Sequence, residues 1–115
     1  PKGSDEEREE RSRRIYAANR HAAEVPMQTA REAARLLDEI PTLAEKGNPN
    51  AASDAGAAAL LLAAAVEGAL LNVAINLDGA GDPAFAEDLR AEAARLDREA
   101  TATRERVLSL VRARF

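Results

Sequence analysis

The chain has 115 residues and a formal net charge of −4, and 46% of its residues are apolar although only 3% are aromatic. The acidic balance argues against a duplex nucleic-acid surface, which needs a basic patch to displace counterions. No cysteine is present, which excludes disulfides and thiolate chemistry and makes a cytoplasmic location the expectation. β-branched and aromatic residues are too few to furnish several strands, so we expect an all-α fold in one domain over residues 1–115.

The first predicted helix begins at Ser4 or Asp5 and runs to about Ala23. Either residue can cap it, and the acids of the first turn suit the positive end of the helix dipole. The alternating acids and arginines that follow are typical of a solvated face with i to i+4 pairs. They can also be interpreted as an anion-binding strip, because arginine matches a carboxylate with two parallel hydrogen bonds. The members of this arginine strip are Arg13, Arg14, Arg20 and His21.

Pro26 interrupts the first helix without necessarily ending it, because proline is tolerated at a kink or in the first turn of a restarted helix. A second helical segment is predicted over 27–46, where apolar residues recur at helical spacing. Pro41 predicts a further bend inside it. Gly47 followed by Asn48 is a good signal for the end of a helix.

We expect the other helical segments to pack around residues 47–77. Turn formers open it, and Asn50 or Ser53 can cap the helix that follows. The ten residues 57–66 are all apolar, and a helix without a polar face is expected to be buried. The sequence thus predicts an antiparallel helical bundle around a central, buried, Ala- and Leu-rich helix. Because ten residues fall far short of the roughly 20 that span a bilayer, we expect a soluble protein without a membrane partner.

Two acids of the central helix are candidates for catalysis. Asp54 lies in its first turn, where the helix dipole stabilises negative charge, and it is either a capping residue or a catalytic one. Glu67 is expected in an apolar surround that favours a protonated general acid, or else paired with an arginine. Thirteen helical residues separate the two by about 20 Å, so they cannot act together within one chain.

The last predicted helix begins at Asp82, a capping side chain followed by a proline at the first helical position. Its apolar residues recur about every 3.5 residues, the spacing of a long antiparallel seam. The seam consists of Phe85, Leu89, Ala93, Leu96, Ala100, Thr103, Val107, Leu110 and Arg114.

Several sequence runs carry a family resemblance. GNPN at 47–50, SDAG at 53–56 and AAVEGALLNVAINL at 64–77 follow one another, and HAAEVP precedes them at 21–26. Together they resemble the cyclodeaminase domain of formiminotransferase-cyclodeaminase and its single-domain bacterial relatives, some described as methenyltetrahydrofolate cyclohydrolases. The resemblance covers roughly residues 8–90. The proline- and glycine-rich stretch and further helices that begin the family's domain are absent, so the chain resembles its C-terminal part.

The resemblance implies an enzyme that closes 5-formiminotetrahydrofolate to 5,10-methenyltetrahydrofolate with release of ammonia. One alternative within the family is hydrolysis of the methenyl bridge, and another is a helical assembly module without catalysis. No metal is expected, because His21 is the only histidine, and no cofactor beyond the tetrahydrofolate that carries the substrate.

The implied site draws on three groups of residues besides the two acids. The arginine strip would hold the glutamate tail of a folate, whose carboxylates need a local basic patch in an acidic protein. Asn72 and Asn76 could read the donor and acceptor edge of a pterin ring, or could bond to a neighbouring helix. The GNPN turn is the third candidate surface, with Asn48, Asn50 and Ser53.

The central helix has more apolar surface than the other predicted segments can cover. We therefore expect a homodimer or larger oligomer, or pairing with a fragment that this chain lacks.

Overall fold

A computed structural model describes residues 3–115, and in this part of the chain every regular element is helical. The elements are α1 (Asp5–Leu37), α2 (Ile40–Lys46), a 3₁₀ turn (Pro49–Ala51), α3 (Ala52–Leu77) and α4 (Pro83–Arg112). The long helices α1, α3 and α4 pack side by side, and α3 runs antiparallel to both of the others. The predicted all-α bundle is confirmed.

Helix α1 continues through Pro26 and ends only at Leu37. Proline costs an intrahelical hydrogen bond, but Ala23 and Met27 on either side of it are fully buried and hold the helix in place. Pro41 instead lies in the first turn of α2, where its missing N–H does no harm. The predicted end near Ala23 and the new helix start at Met27 are therefore wrong, whereas the bend predicted at Pro41 agrees with the break between α1 and α2 at residues 38–39.

Three of the predicted helix termini are confirmed. Ser4 caps α1 in a capping box, in which its side chain accepts from the backbone N–H of Glu7. Gly47 ends α2, although its backbone is extended rather than left-handed. Asp82 accepts from the N–H of Phe85 at 3.2 Å and caps α4. These signals act over three or four residues, which is why the sequence alone reveals them.

The predicted caps of the central helix, Asn50 and Ser53, are wrong. The side chain of Asn48 accepts from the N–H of Asn50 at 2.9 Å and stabilises the 3₁₀ turn. Helix α3 then begins at Ala52 with no side-chain cap, because the 3₁₀ turn before it already places the backbone in a helical conformation.

The core is a layer of small and medium side chains between the three long helices. Helix α3 contributes one face, with Ala59, Val66 and Val73 fully buried or nearly so. Met27 of α1 and Val107 of α4 are equally inaccessible, and the predicted seam of α4 is largely buried. At the end of that seam, the Arg114 side chain is exposed and donates to the Glu45 carbonyl at 2.6 Å.

The central helix is not buried all round. The protein measures 69 × 19 × 16 Å, a cross-section of about two helix diameters, so α1 and α4 cover only one side of α3. On the opposite side, the exposed fractions are 72% for Leu61, 73% for Leu71 and 75% for Ile75. Glu67 is exposed as well, so the apolar surround predicted for it is absent from this fold.

The segment Pro49–Leu77 is also long and apolar enough to cross a membrane, judged by length and composition only. The ten apolar residues 57–66, on their own, are too short to span a bilayer, but the whole helix is not. Asp54 and Glu67 are the only charged residues of this segment, so the apolar stretch is effectively longer. A core helix of a soluble protein passes the same test, and 28% of the most apolar window of this helix is buried inside the fold.

Candidate functional site

The loop between α3 and α4, residues 78–82, is fastened to the middle of α1. The side-chain amide of Asn19 donates to the Gly79 carbonyl. Gly81 has a φ of 70°, a left-handed conformation that glycine adopts without strain, and the Tyr16 ring occupies the space that a side chain there would need. The loop and α1 therefore form one fixed surface.

Arg20 lies at the centre of this surface. Its guanidinium is 3.5 Å from the Asp82 carboxylate and stacks over the Phe85 ring, 4.4 Å from the ring centroid. An open cleft of about 550 Å³ beside it is lined by Arg13, Tyr16, Ala17, Arg20, His21, Glu24, Ala80, Gly81 and Asp82. The structure thus brings three members of the predicted arginine strip to one cleft. Asp82 and Glu24 add negative charge at its rim, which limits the net positive potential.

Arg14, the fourth member of the strip, does not line this cleft. Glu10 bridges it to Arg13, with nitrogen to oxygen distances of 3.1 Å to Arg14 and 2.7 Å to Arg13. Hydrogen bonds from Arg13 and then Arg14 hold the pKa of Glu10 below its ordinary value. These i,i+3 and i,i+4 pairs match the solvated-face interpretation of this part of α1.

The two asparagines of α3 lie near the same end of the molecule but on the other edge of α1. The Asn76 amide donates to the Ala22 carbonyl of α1 at 3.2 Å and to the Asn72 carbonyl at 2.9 Å. Asn76 therefore makes the bond to a neighbouring helix that was one of its two predicted roles. Asn72 is exposed.

The remaining candidates lie at the opposite end of the bundle. Asn48, Asn50, Ser53 and Asp54 are all exposed around the turn that opens α3. At a rise of 1.5 Å per residue, Asp54 is about 33 Å from Asn76 along the helix. Glu67 lies between the two ends, at the rim of a shallow groove against α4 that Asp97 also borders. Within one chain, the predicted residues form two separate groups rather than a single site.

Sequence reasoning missed the residues that shape the cleft around Arg20. Tyr16 and Phe85 are two of only three aromatic residues in the chain. Their rarity was the sequence feature that could have pointed to this surface. It also missed the contact between α1 and α4, in which Arg31 binds the Glu92 carboxylate through two hydrogen bonds of 2.6 Å. Over residues 3–115, no three His, Cys, Asp or Glu side chains gather as a metal site would require.

These features define a helical domain with polar groups at both ends and a cleft bordered by two arginines, a histidine and two carboxylates. The family profile of Formiminotransferase-cyclodeaminase matches residues 1–95. Among curated proteins, the chain is 40% identical over 114 residues to a methenyltetrahydrofolate cyclohydrolase of Methylorubrum extorquens. It is 35% and 36% identical to the formimidoyltransferase-cyclodeaminases of Rattus norvegicus and Gallus gallus. The chain belongs to the Formiminotransferase-cyclodeaminase family, as the sequence runs predicted.

The matches include 99% of this chain but only part of each relative. The chain spans 55% of the length of the cyclohydrolase and 21% of the length of each formimidoyltransferase-cyclodeaminase.

Proposed function

We propose that this chain is part of an enzyme of folate one-carbon metabolism that closes 5-formiminotetrahydrofolate to 5,10-methenyltetrahydrofolate. The observation that carries the proposal is the family match over residues 1–95, together with relatives named for cyclodeaminase or cyclohydrolase activity. In this reaction N10 attacks the formimino carbon, the N10 proton is removed, and the former imine nitrogen leaves as ammonia.

Asp54 is the proposed base for the N10 proton. It is exposed at the first turn of α3, where a carboxylate is stabilised by the helix dipole and remains accessible to a ligand. Glu67 is the proposed acid for the departing nitrogen, but it lies about 20 Å from Asp54 along α3. The reaction therefore needs a second polypeptide surface that brings an acid to Asp54.

The substrate tail is proposed to bind the cleft around Arg20. Two guanidinium groups and His21 border this cleft, and glutamate carboxylates of a folate match such donors. Asn72 and the GNPN turn, with Asn48, Asn50 and Ser53, are proposed contacts for the pterin end. No cofactor other than the tetrahydrofolate itself enters the proposal.

A second candidate reaction is hydrolysis of 5,10-methenyltetrahydrofolate to 10-formyltetrahydrofolate. The bacterial relative at 40% identity, of which the chain spans more than half, carries the name of this activity. Here water adds to the methenyl carbon, the bond to N5 breaks, and one proton is released. The two reactions differ chiefly in that ammonia leaves in the ring closure, whereas an activated water attacks in the hydrolysis.

The near-ultraviolet absorbance of the methenyl compound distinguishes the two reactions. Absorbance that rises with 5-formiminotetrahydrofolate supports the cyclodeaminase, and absorbance that falls faster than the uncatalysed rate with the methenyl compound supports the cyclohydrolase. The assay should compare this chain, any longer protein that contains it, and Asp54→Asn in each. If folded wild-type protein catalyses neither reaction and binds no reduced folate, the assembly module without catalysis replaces both proposals.

A further inference from the structure

Pro26 leaves one backbone carbonyl of α1 without its usual partner. In an α-helix the carbonyl of residue 22 accepts from the N–H of residue 26, but proline has no N–H. Pro26 nevertheless lies inside α1, and Ala23 and Met27 beside it are fully buried. Because an unpaired carbonyl destabilises a packed helix, the Ala22 carbonyl needs a donor from another element.

The Asn76 side chain of α3 supplies this donor. Its amide nitrogen is 3.2 Å from the Ala22 carbonyl oxygen and 2.9 Å from the carbonyl oxygen of Asn72, one turn earlier in α3. A carboxamide nitrogen carries two hydrogens, and these two bonds use both of them. Since both partners are acceptors, only the nitrogen of the amide can face them. The orientation of the Asn76 amide is thereby fixed.

The amide oxygen of Asn76 remains free. Among residues 3–115 no group donates to it, and no side-chain oxygen in this part of the chain is both buried and unpaired. This oxygen is therefore accessible to a ligand, although Asn76 itself is half-buried. A carboxamide that is held through its nitrogen offers a ligand an acceptor and no donor.

We propose that the Asn76 amide takes the place of the N–H that Pro26 lacks, and that this link holds its oxygen as an acceptor for an N–H group of the substrate. The N–H groups of a reduced pterin ring suit such an acceptor, an assignment that rests on the proposed function, whereas the link itself does not. Because the side chain is already immobilised, little rotamer freedom is lost when a ligand binds. Asn76 thus selects for a donor alone, rather than reading both kinds of group.

A Pro26→Ala background separates the two roles of Asn76. There the N–H of residue 26 bonds to the Ala22 carbonyl as in an ordinary α-helix, so stability depends much less on Asn76. Alanine suits the interior of a helix far better than proline, so this variant should be at least as stable as wild type.

Thermal unfolding of the single and double variants tests the link. Asn76→Ala should lower the melting temperature of wild type by about 4 °C, the effect of one hydrogen bond in a chain of this size, and that of Pro26→Ala by less than about 2 °C. Asn72→Ala is the matched control, because Asn72 is exposed and contributes only its backbone carbonyl to the link. The control should change the melting temperature by no more than about 2 °C in either background. Equal losses from Asn76→Ala in the two backgrounds overturn the link.

Asn76→Asp tests the direction of the two hydrogen bonds at nearly constant shape. An ionised carboxylate has no donor, so it would oppose the Ala22 and Asn72 carbonyl oxygens. Asparagine and aspartate have similar helix propensities, so propensity does not mask the effect. At neutral pH this variant should lose at least as much stability as Asn76→Ala does in the wild-type background. An aspartate variant as stable as wild type contradicts the assignment of the nitrogen as donor.

Equilibrium binding of 5-formyltetrahydrofolate, a stable reduced folate, tests the free oxygen at a temperature where every variant is folded. Asn76→Ala should weaken binding about fivefold, the effect of one neutral hydrogen bond. Pro26→Ala combined with Asn76→Ala regains stability but has no amide oxygen, so its affinity should stay as low. If affinity returns together with stability, Asn76 is a structural link only and the ligand contact is overturned. A wild type that binds no reduced folate contradicts the proposed function and the pterin contact, and the unfolding measurements still decide the link.

Discussion

Replacing Glu92 with Gln removes the ion pair that fastens α1 to α4. Arg31 approaches both carboxylate oxygens of Glu92 at 2.6 Å, and the Glu92 side chain is only 23% exposed. A fully exposed pair contributes less than about 1 kcal/mol, whereas a charge-assisted pair that is bidentate and partly buried contributes more, although solvent still screens Arg31. We expect Glu92→Gln to lower the free energy of unfolding by about 1 kcal/mol. For a chain of this size, the melting temperature would fall by about 4 °C.

The same pair predicts a dependence on pH. Hydrogen bonds from Arg31 hold the pKa of Glu92 below its ordinary value of 4.5, against the opposing effect of burial. The unfolded chain therefore binds the proton more readily, so the contribution of the pair is complete above the ordinary pKa and is lost as pH falls through the lower folded pKa. The stability difference between wild type and Glu92→Gln should be constant above the ordinary pKa of 4.5 and should shrink as pH falls below it, through the lower folded pKa.

Chemical denaturation followed by helical circular dichroism measures these differences at fixed protein concentration. Glu99→Gln is the matched control on the same helix, because its pair with Arg95 is 3.3 Å long, lies within α4 and leaves Glu99 55% exposed. The control should change stability by less than about 0.5 kcal/mol. Equal effects of the two variants, or a Glu92→Gln effect that persists undiminished at low pH, would refute the reasoning.

Other substitutions test the loop, the acid and the cleft. Gly81→Ala should cost about 2 kcal/mol in thermal unfolding, because the new side chain meets the Tyr16 ring at a left-handed φ, and an unchanged melting temperature would contradict this. Asp54→Asn should slow turnover roughly 100-fold with little change in stability, since α3 has no side-chain cap, and full activity would assign Asp54 a structural role only. Charge reversal of Arg13 and Arg20 should weaken folate binding in titrations, more for polyglutamylated than monoglutamylated folate and less at high salt, with the saturated rate little changed. Unaltered affinity for both folates in the charge-reversed variant would exclude the cleft as the tail site.

Predictions that rest on neighbouring residues agree well with the structure. The capping box at Ser4, the helix end at Gly47 and the start at Asp82 each depend on groups within one turn. The spacing of the α4 seam likewise requires only the helical repeat, and its inner positions Leu89, Leu96 and Val107 are buried. The family resemblance depends on short runs of sequence as well, and its expected extent of about 8–90 agrees with the profile match over 1–95.

Predictions that depend on the number of helices packed around a given helix agree less well with the structure. Composition alone suggested that α3 is enclosed, yet a helix becomes buried only when enough partners surround it, and α1 and α4 leave the Leu61 and Leu71 face open. Pro26 stays inside α1 because packing on both sides outweighs its local preference. The pairing of Arg31 with Glu92, and the cleft of Arg20 with Asp82 and Phe85, join residues about 60 positions apart.

The sequence by itself determined that this protein is helical, where most of its helices begin and end, and to which family it belongs, because each of these depends on local chemistry or on short runs of residues. Only the tertiary structure decided that Arg20 meets Asp82 and Phe85 beside the loop between α3 and α4, and that one face of α3 remains open. Those facts depend on the direction in which each helix returns and on the number of helices that pack around α3, and no local pattern records either.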